Sequence, residues 1–194
     1  MIPSINQFTS GLSFALLLLQ GRSFDLIKSQ VNISPLGLWH VMFFNLIFSV
    51  LAELFFFQSI SKNGLNLKII LATIPLTAIK ISLFVFFIYY LLIFLRRSNY
   101  IYNFTISFFW LLNLQSLLAI IFLISYLAFP VPAIHFILLI AGFVLSIQIL
   151  IVQFKIAKQL LDVLTLSAIA IVFSNILIGV FVGYIYEFSL SIFV

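Results

Sequence analysis

The sequence predicts an all-α fold, a polytopic membrane helical bundle of five transmembrane helices with an N-terminal amphipathic interfacial helix. The first observation is composition, since 65% of the 194 residues are hydrophobic and only 7% are charged. Soluble domains are about 45–50% apolar and about 25% charged. The second observation is that the apolar residues fall into five long segments, and the third is that basic residues collect between these segments. A lipid bilayer is therefore the expected surroundings of this chain.

Each of the five apolar segments reaches the length of about 20 residues that a membrane-spanning helix needs. We place the spans at residues 38–60, 69–95, 106–129, 133–153 and 163–186. Pro75 lies in the long second span and predicts a kink, or a late start of the membrane-crossing part near residue 74. Only Pro130-Val131-Pro132 separates spans three and four, so these two spans are expected to be antiparallel neighbours.

The distribution of basic residues predicts the orientation. Six lie on the side of the N-terminus and two lie on the opposite side: Arg22, Lys28, Arg96, Arg97, Lys155 and Lys158 against Lys62 and Lys68. Because basic loops stay in the cytoplasm, we expect a cytoplasmic N-terminus and an outside C-terminus. The net charge of +5 then reflects topology and contact with anionic lipids. With no soluble basic face, nucleic acid is not an expected partner.

The first 35 residues form a separate segment (1–35) ahead of the transmembrane domain (36–194). The apolar run from Leu12 to Leu19 is too short to span, and its flanks lack the features of a signal peptide. Apolar residues recur at helical spacing, namely Ile5, Phe8, Leu12, Ala15, Leu16 and Leu19. We predict an amphipathic helix that lies on or is tucked into the cytoplasmic interface and ends at Gly21. It serves either as an in-plane anchor, which is the simpler interpretation, or as a docking helix for a partner.

Two charged side chains lie inside predicted spans, Glu53 in the first and Lys80 in the second. A charge in the hydrocarbon costs roughly 2.5–3.5 kcal/mol, so such residues usually pair or line a wet path. Polar residues share these helix faces at steps of three or four: Asn45 and Ser49 with Glu53, and Thr73 and Thr77 with Lys80. Because the two spans are antiparallel neighbours, we predict a Glu53–Lys80 ion pair. It is either a proton or substrate site or a buried pair that fixes helix register, and we favour the second.

No signature of catalysis or metal binding is found in the sequence. The chain has no cysteine, which excludes disulfides and thiolate catalysis. His40 begins span one and His135 begins span four, so alternating topology places them at opposite faces of the membrane. The usual hydrolase, metalloprotease and nucleotide-binding motifs are missing. We therefore expect no catalytic residue, no cofactor, no metal site and a non-enzymatic function.

Other polar and small residues in the spans are assigned to helix packing. In span five, Asn175, Gly179 and Gly183 fall at steps of four on one face, followed by Glu187. The two glycines form a small-xxx-small pattern that lets a second helix come close. Polar residues of spans three and four either line a cavity or, as the simpler interpretation, form interhelical hydrogen bonds: Asn113, Gln115, Ser116, His135, Ser146 and Gln153, with Gly142 on the same face of span four.

Four stretches over most of the chain resemble the Yip1-like membrane domain. They are Leu16-Leu17-Leu18-Leu19-Gln20-Gly21-Arg22 followed by Phe24-Asp25, the connection Arg96-Arg97-Ser98-Asn99-Tyr100 leading to Trp110, Phe154-Lys155-Ile156-Ala157-Lys158, and the polar fifth span. The chain is most similar to small bacterial members of that type that are classed as candidate transporters. The resemblance implies five spans after an amphipathic segment, with a cytoplasmic N-terminus. It implies no cofactor and no defined substrate.

Two functional hypotheses follow. In the first, a non-enzymatic membrane protein organises membrane lipids or partner membrane proteins, or associates with itself through span five. In the second, the chain is a small transporter or transporter subunit with a polar site around Glu53 and Lys80. A polar cavity near the middle of the bilayer favours transport, and a dry, tightly packed bundle favours the first hypothesis.

Overall fold

The computed structural model describes the backbone of residues 3–60, 67–129 and 131–193, and the side chains of 3–56, 71–129 and 131–185. Within these ranges the chain is helical and has no strand, which confirms the all-α prediction. Seven α-helices follow one another: α1 (Ile5–Leu19), α2 (Phe24–Ile27), α3 (Pro35–Ile60), α4 (Leu67–Phe94), α5 (Ile101–Ala128), α6 (Pro132–Leu161) and α7 (Thr165–Phe193). The side chains of Lys62, Lys68 and Glu187, and the whole of Pro130, lie outside the described residues.

Five helices, α3 to α7, are long and apolar enough to cross a membrane, so the chain is an integral membrane protein. Helix α1 has 15 residues and is therefore about 22 Å long, shorter than the hydrocarbon core of about 30 Å. It is the short apolar N-terminal helix that the sequence predicts.

Several helix boundaries differ from the predicted spans; α3, for example, begins at Pro35 rather than at residue 38, and α7 ends at Phe193 rather than at residue 186. Helix α5 begins at Ile101 rather than at residue 106. Helix α6 continues to Leu161, so that Lys155 and Lys158 lie on its last turns and not in a connection. Helix α4 runs unbroken past Pro75. Hydropathy underestimates the length of α6, because a lysine near the end of a helix can extend its side chain toward water while the backbone stays helical.

The spanning helices form a closed ring in which α3 packs on α4, α4 on α7, α7 on α6, α6 on α5, and α5 again on α3. The predicted contacts between spans one and two and between spans three and four are present in this ring. Helix α5 also packs on α4 and α1, and its residues 104–111 are all buried. Because α5 is contacted on every side over this stretch, it shows no apolar stripe in its sequence.

Helix α1 packs on α5 and α6 inside the bundle. It begins with a capping box between Ser4 and Gln7 and ends at Gly21, which adopts the left-handed conformation with φ 82°. Its buried face consists of Gly11, Phe14, Ala15 and Leu18. The predicted face is therefore partly wrong, since Ile5 is 80% exposed and Leu16 is 46% exposed.

The reason for this rotation of α1 is the contact between Gly11 and the indole ring of Trp110, which leaves no room for a Cβ atom. Phe8 packs beside the same indole, with ring centroids 6.5 Å apart, and its ring lies 5.1 Å from that of Phe44. Close approach to an aromatic cluster, rather than maximal hydrophobicity, determines which face of α1 is buried. The helix is therefore tucked into the bundle.

One end of the bundle is tied together by Arg97 and Asp162, whose side chains form an ion pair of 2.9 Å. Arg97 follows α4 and Asp162 follows α6, so these two connections lie at the same end, as the alternating topology requires. Asp162 and Arg96, the residue before Arg97, have positive φ angles of 48° and 56°. Each ends its helix in the left-handed conformation.

Candidate functional site

A polar cavity of about 300 Å³ lies inside the ring, where α5 faces α7 and where α3 and α4 close the sides. We call it the polar cavity and define it by its seven polar lining residues: Asn45, Ser49, Thr77, Lys80, Gln115, Ser116 and Asn175. Apolar residues such as Ile81, Phe84 and Phe109 complete the wall. Among the described residues that line the polar cavity, Lys80 is the one with a charged side chain.

Helical periodicity explains how each helix supplies its part of the wall. Asn45 and Ser49 are one turn apart on α3, and Thr77 and Lys80 are one turn apart on α4. Four of the five predicted site residues therefore line the polar cavity: Asn45, Ser49, Thr77 and Lys80. The fifth, Glu53, is not a lining residue, but it forms a hydrogen bond with the lining residue Thr77.

The predicted Glu53–Lys80 ion pair is wrong. The hydroxyl of Thr77 donates a hydrogen bond of 3.2 Å to Oε2 of Glu53. Among the side chains that the structure describes, the ion pairs are Lys28–Asp25 and Arg97–Asp162, so the attraction between Glu53 and Lys80 acts at longer range. The reason is axial position, because Lys80 lies one turn, about 4.5 Å, farther along α4 than Thr77.

Lys80 crosses the polar cavity toward α7 and reaches Gly179. A Cβ atom placed on Gly179 would lie 3.5 Å from Cε and 3.8 Å from Nζ of Lys80. The missing side chain of Gly179 therefore leaves space for the end of the lysine. Gly179 and Asn175 are lining residues of the polar cavity in addition to being part of α7's packing surface.

Gly183 has a different environment from Gly179, although the two were predicted to share one packing surface. It is exposed, and no atom of the described residues lies within 4 Å of the position its Cβ would occupy. Within one copy of the chain, the small-xxx-small pattern therefore does not form a single helix contact. The first glycine faces Lys80 and the second faces outward.

A buried amide pair holds the α3 wall against α5. Nδ2 of Asn45 donates a hydrogen bond of 3.0 Å to Oδ1 of Asn113, and Nδ2 of Asn113 donates one of 3.2 Å to the carbonyl oxygen of Val41. Both asparagines are almost fully buried, at 4% and 0% exposure. Such bonds between spans restrict the position of α3 and thereby the position of Asn45 in the polar cavity.

For three of the lining residues, Gln115, Ser116 and Asn175, sequence reasoning preferred helix packing over the alternative that they line a cavity. The available signal was that α3, α4, α5 and α7 all carry uncharged polar residues near the middle of their apolar segments. Periodicity identifies polar faces one helix at a time. It does not say which of those faces meet, since that depends on the order of helices in the ring.

The two histidines have separate environments. His40 on α3 is buried, and its Nε2 has no hydrogen-bond partner within the described part of the chain. It borders a cavity of about 30 Å³ together with Gln7, Ser10 and Asn32, which is room for about one water molecule. His135 on α6 stacks on Tyr126, with ring centroids 3.9 Å apart, and contacts its carbonyl oxygen. No cluster of three potential metal ligands occurs among residues 3–56, 71–129 and 131–185.

Comparison of the chain with protein-family models, with curated proteins and with solved structures finds no match in any of the three. The functional conclusion therefore depends on the polar cavity. An ammonium group, three side-chain amides and several hydroxyls can together bind an anion and hydrogen-bond its polar neighbours.

The geometry around Glu53 predicts a small effect of neutralising this residue. Because a glutamine oxygen still accepts the Thr77 hydrogen bond, we expect Glu53→Gln to lower the free energy of unfolding by about 1 kcal/mol or less. In a double-mutant cycle with Lys80→Met, the coupling energy should also stay below about 1 kcal/mol, measured by unfolding in detergent. A coupling of about 3–5 kcal/mol, as for a directly bonded buried pair, would contradict the structure.

Proposed function

We propose that the chain is a non-enzymatic small transporter, or a transporter subunit, that binds a small anionic solute in the polar cavity. The observation that carries this proposal is the placement of Lys80 in a polar cavity inside the membrane bundle. A lysine at this depth is costly unless it is paired or hydrated. A solute that brings a negative charge and hydrogen-bonding atoms offsets this cost.

The size and lining of the polar cavity support a small ligand. Its volume of about 300 Å³ is at the lower end of the range of ligand pockets, about 300–1,000 Å³. Amide or hydroxyl side chains on α3, α5 and α7 line the same cavity as Lys80. Such a constellation recognises charge and polarity together and contains none of the paired groups on which acid–base catalysis depends.

A second candidate function is the organisation of lipids or partner membrane proteins. The observation that favours it is the open position of Gly183 on the outer surface of α7. A glycine facing lipid lets another helix approach closely, either from a second copy of the chain or from another membrane protein. A polar cavity is not needed for this function.

The membrane and the orientation are part of the proposal. The resemblance to small bacterial Yip1-like proteins is the basis for placing the protein in a bacterial inner membrane. The basic residues near the end that carries Arg97 and Asp162 are the basis for placing its N-terminus in the cytoplasm. The resemblance to Yip1-like proteins is itself retained as a proposal. It is supported by the order of the helices, since a short N-terminal helix precedes five long apolar ones. Membrane lipids are the proposed surroundings and partners.

Single cysteines test the orientation cleanly because the natural chain has none. Val131 lies in the turn between α5 and α6, and Lys158 lies near the other end of α6; both side chains are exposed. We expect Val131→Cys to react with a membrane-impermeant thiol reagent in intact cells, and Lys158→Cys to react only after the cells are opened. The opposite pattern would reverse the proposed topology.

The test of transport asks whether small ions reach the polar cavity from both faces of the membrane. Ser116→Cys places a thiol in the polar cavity, and Phe143→Cys on the exposed face of α6 is the control. In proteoliposomes of known orientation, an anionic and a cationic methanethiosulfonate reagent of similar size are added to one face at a time. We expect Ser116→Cys to react from either face, whereas Phe143→Cys reacts slowly.

The charge of Lys80 should set the preference between the two reagents. Relative to a free thiol, Ser116→Cys should favour the anionic reagent by about ten-fold, and adding Lys80→Met should remove this preference. Reaction no faster than at Phe143→Cys would show a closed bundle and support the organising function instead. Reaction from only one face would contradict transport.

A further inference from the structure

A large apolar groove adjoins the polar cavity. This α5–α6 groove has a volume of about 660 Å³ and is lined mainly by apolar side chains of α5 and α6, including Phe122, Leu123, Phe136 and Leu139. Ala119 lines both the groove and the polar cavity. A small side chain therefore stands at the junction between a polar, positively charged compartment and an apolar one.

Two features shape the groove. Gly142 lines it on α6, and a Cβ atom at this position would lie 3.3 Å from the ring of Phe122. The missing side chain therefore lets the Phe122 ring lie close to the α6 backbone, and a larger residue here would project against that ring. Farther from Ala119, the ring of His135 stacks on Tyr126 and its Nε2 contacts a backbone carbonyl, so this polar ring is already engaged.

The charge in the polar cavity selects what fills the two compartments together. Lys80 forms no ion pair among the described side chains, and the nearby carboxylate of Glu53 accepts a hydrogen bond from Thr77. The lining of the polar cavity therefore complements a negative group. The groove complements a hydrocarbon chain, and it borders the polar cavity at the shared lining residue Ala119, the point that a molecule filling both would have to pass.

We infer that the ligand is a single-chain anionic amphiphile, with its headgroup beside Lys80 and its acyl chain running past Ala119 into the α5–α6 groove. This inference rests on the proposed function and narrows its substrate class. Another apolar groove, between α6 and α7, meets the polar cavity at Ile176, but its volume is about 290 Å³. The larger groove accommodates the longer chain, and we assign the acyl chain to it.

Photolabelling in liposomes tests the inference with a defined probe. The full chain is reconstituted in phosphatidylcholine and irradiated with hexadecanoic acid that carries a diazirine in the middle of its chain. We expect labelled residues on α5 and α6 around Phe122 and Leu139, found by mass spectrometry. Excess hexadecanoate should prevent labelling, whereas butyrate and the uncharged hexadecanol should not.

Variants separate the roles of the charge and the junction. Lys80→Met and Ala119→Phe should each reduce groove labelling about ten-fold. Ala170→Phe, on the exposed face of α7, should leave it unchanged. If Ala119→Phe does not fold, Gly142→Leu narrows the groove without touching the polar cavity and should also reduce labelling.

The outcomes distinguish this inference from the proposed function. Competition by butyrate equal to that by hexadecanoate, with no effect of Ala119→Phe, would overturn the amphiphile and leave a small soluble anion as the ligand. Labelling near Phe173 on α7 would overturn the assignment of the groove. Labelling that survives Lys80→Met, or that hexadecanol prevents, would overturn the anionic headgroup, while the reactivity of Ser116→Cys still decides the proposed function.

Discussion

Gly11→Leu is expected to separate α1 from the bundle. No Cβ atom fits between α1 and the indole of Trp110, so any larger side chain forces the two helices apart. Overpacking of this kind costs about 1–3 kcal/mol, and a leucine should reach the upper end of that range. The loss is measured as a lower free energy of unfolding in detergent, together with faster tryptic cleavage after the exposed Arg22.

Gly183→Leu is the matched control for this substitution. It makes the same change in a long helix, at a position with open space around the Cβ site. We expect its unfolding free energy to stay within about 0.5 kcal/mol of the natural protein. If both leucine variants lose the same stability, the effect belongs to glycine replacement in general and not to the contact with Trp110.

Phe108→Ala should produce the second large effect. Phe108 is fully buried in the first third of α5, and its ring centroid lies 4.9 Å from that of Phe84 and 5.5 Å from that of Phe104. In membranes, van der Waals packing is the main attraction between helices, so a cavity here removes contacts that lipid does not replace. We expect a loss of about 3–5 kcal/mol in unfolding free energy.

Phe181→Ala, at an exposed position of α7, deletes the same atoms without opening a cavity. Its unfolding free energy should change by less than about 1 kcal/mol. Equal losses for Phe108→Ala and Phe181→Ala would show that α5 does not lie at the centre of the bundle.

The number of spanning helices and their approximate positions along the chain could be predicted, because the length of a hydrophobic segment is a strong signal in a bilayer. The burial of α5 on every side over residues 104–111 could not be predicted, since Phe104 and Phe108 look no different in sequence from the exposed Phe136 and Phe143. In a membrane, hydrophobicity does not separate buried from exposed faces, because lipid is as apolar as a protein core. The contact of Gly11 could not be predicted either, since the importance of this residue lies in the space that its missing side chain leaves for Trp110.

The polar site could be predicted as far as the faces of single helices. Steps of four along α3 identify Asn45 and Ser49 with Glu53, and steps of three or four identify Thr77 with Lys80. The partner of Glu53 depends on an axial offset of one turn, which loop length alone does not determine. The contribution of α7 depends on ring order, and Asn175 and Gly179 join the site only because α7 packs beside α4.

The position of α7 in the ring also affects the synthesis of the protein. Lys80 is made long before Gly179, and at about 5–20 residues per second the interval between them is roughly 5–20 s. For most of that time α7, the helix that closes the fourth side of the lysine's surroundings, has not yet been made. The nascent chain therefore carries an uncovered positive charge at the lipid boundary, and insertion of the last helix is the step that shields it.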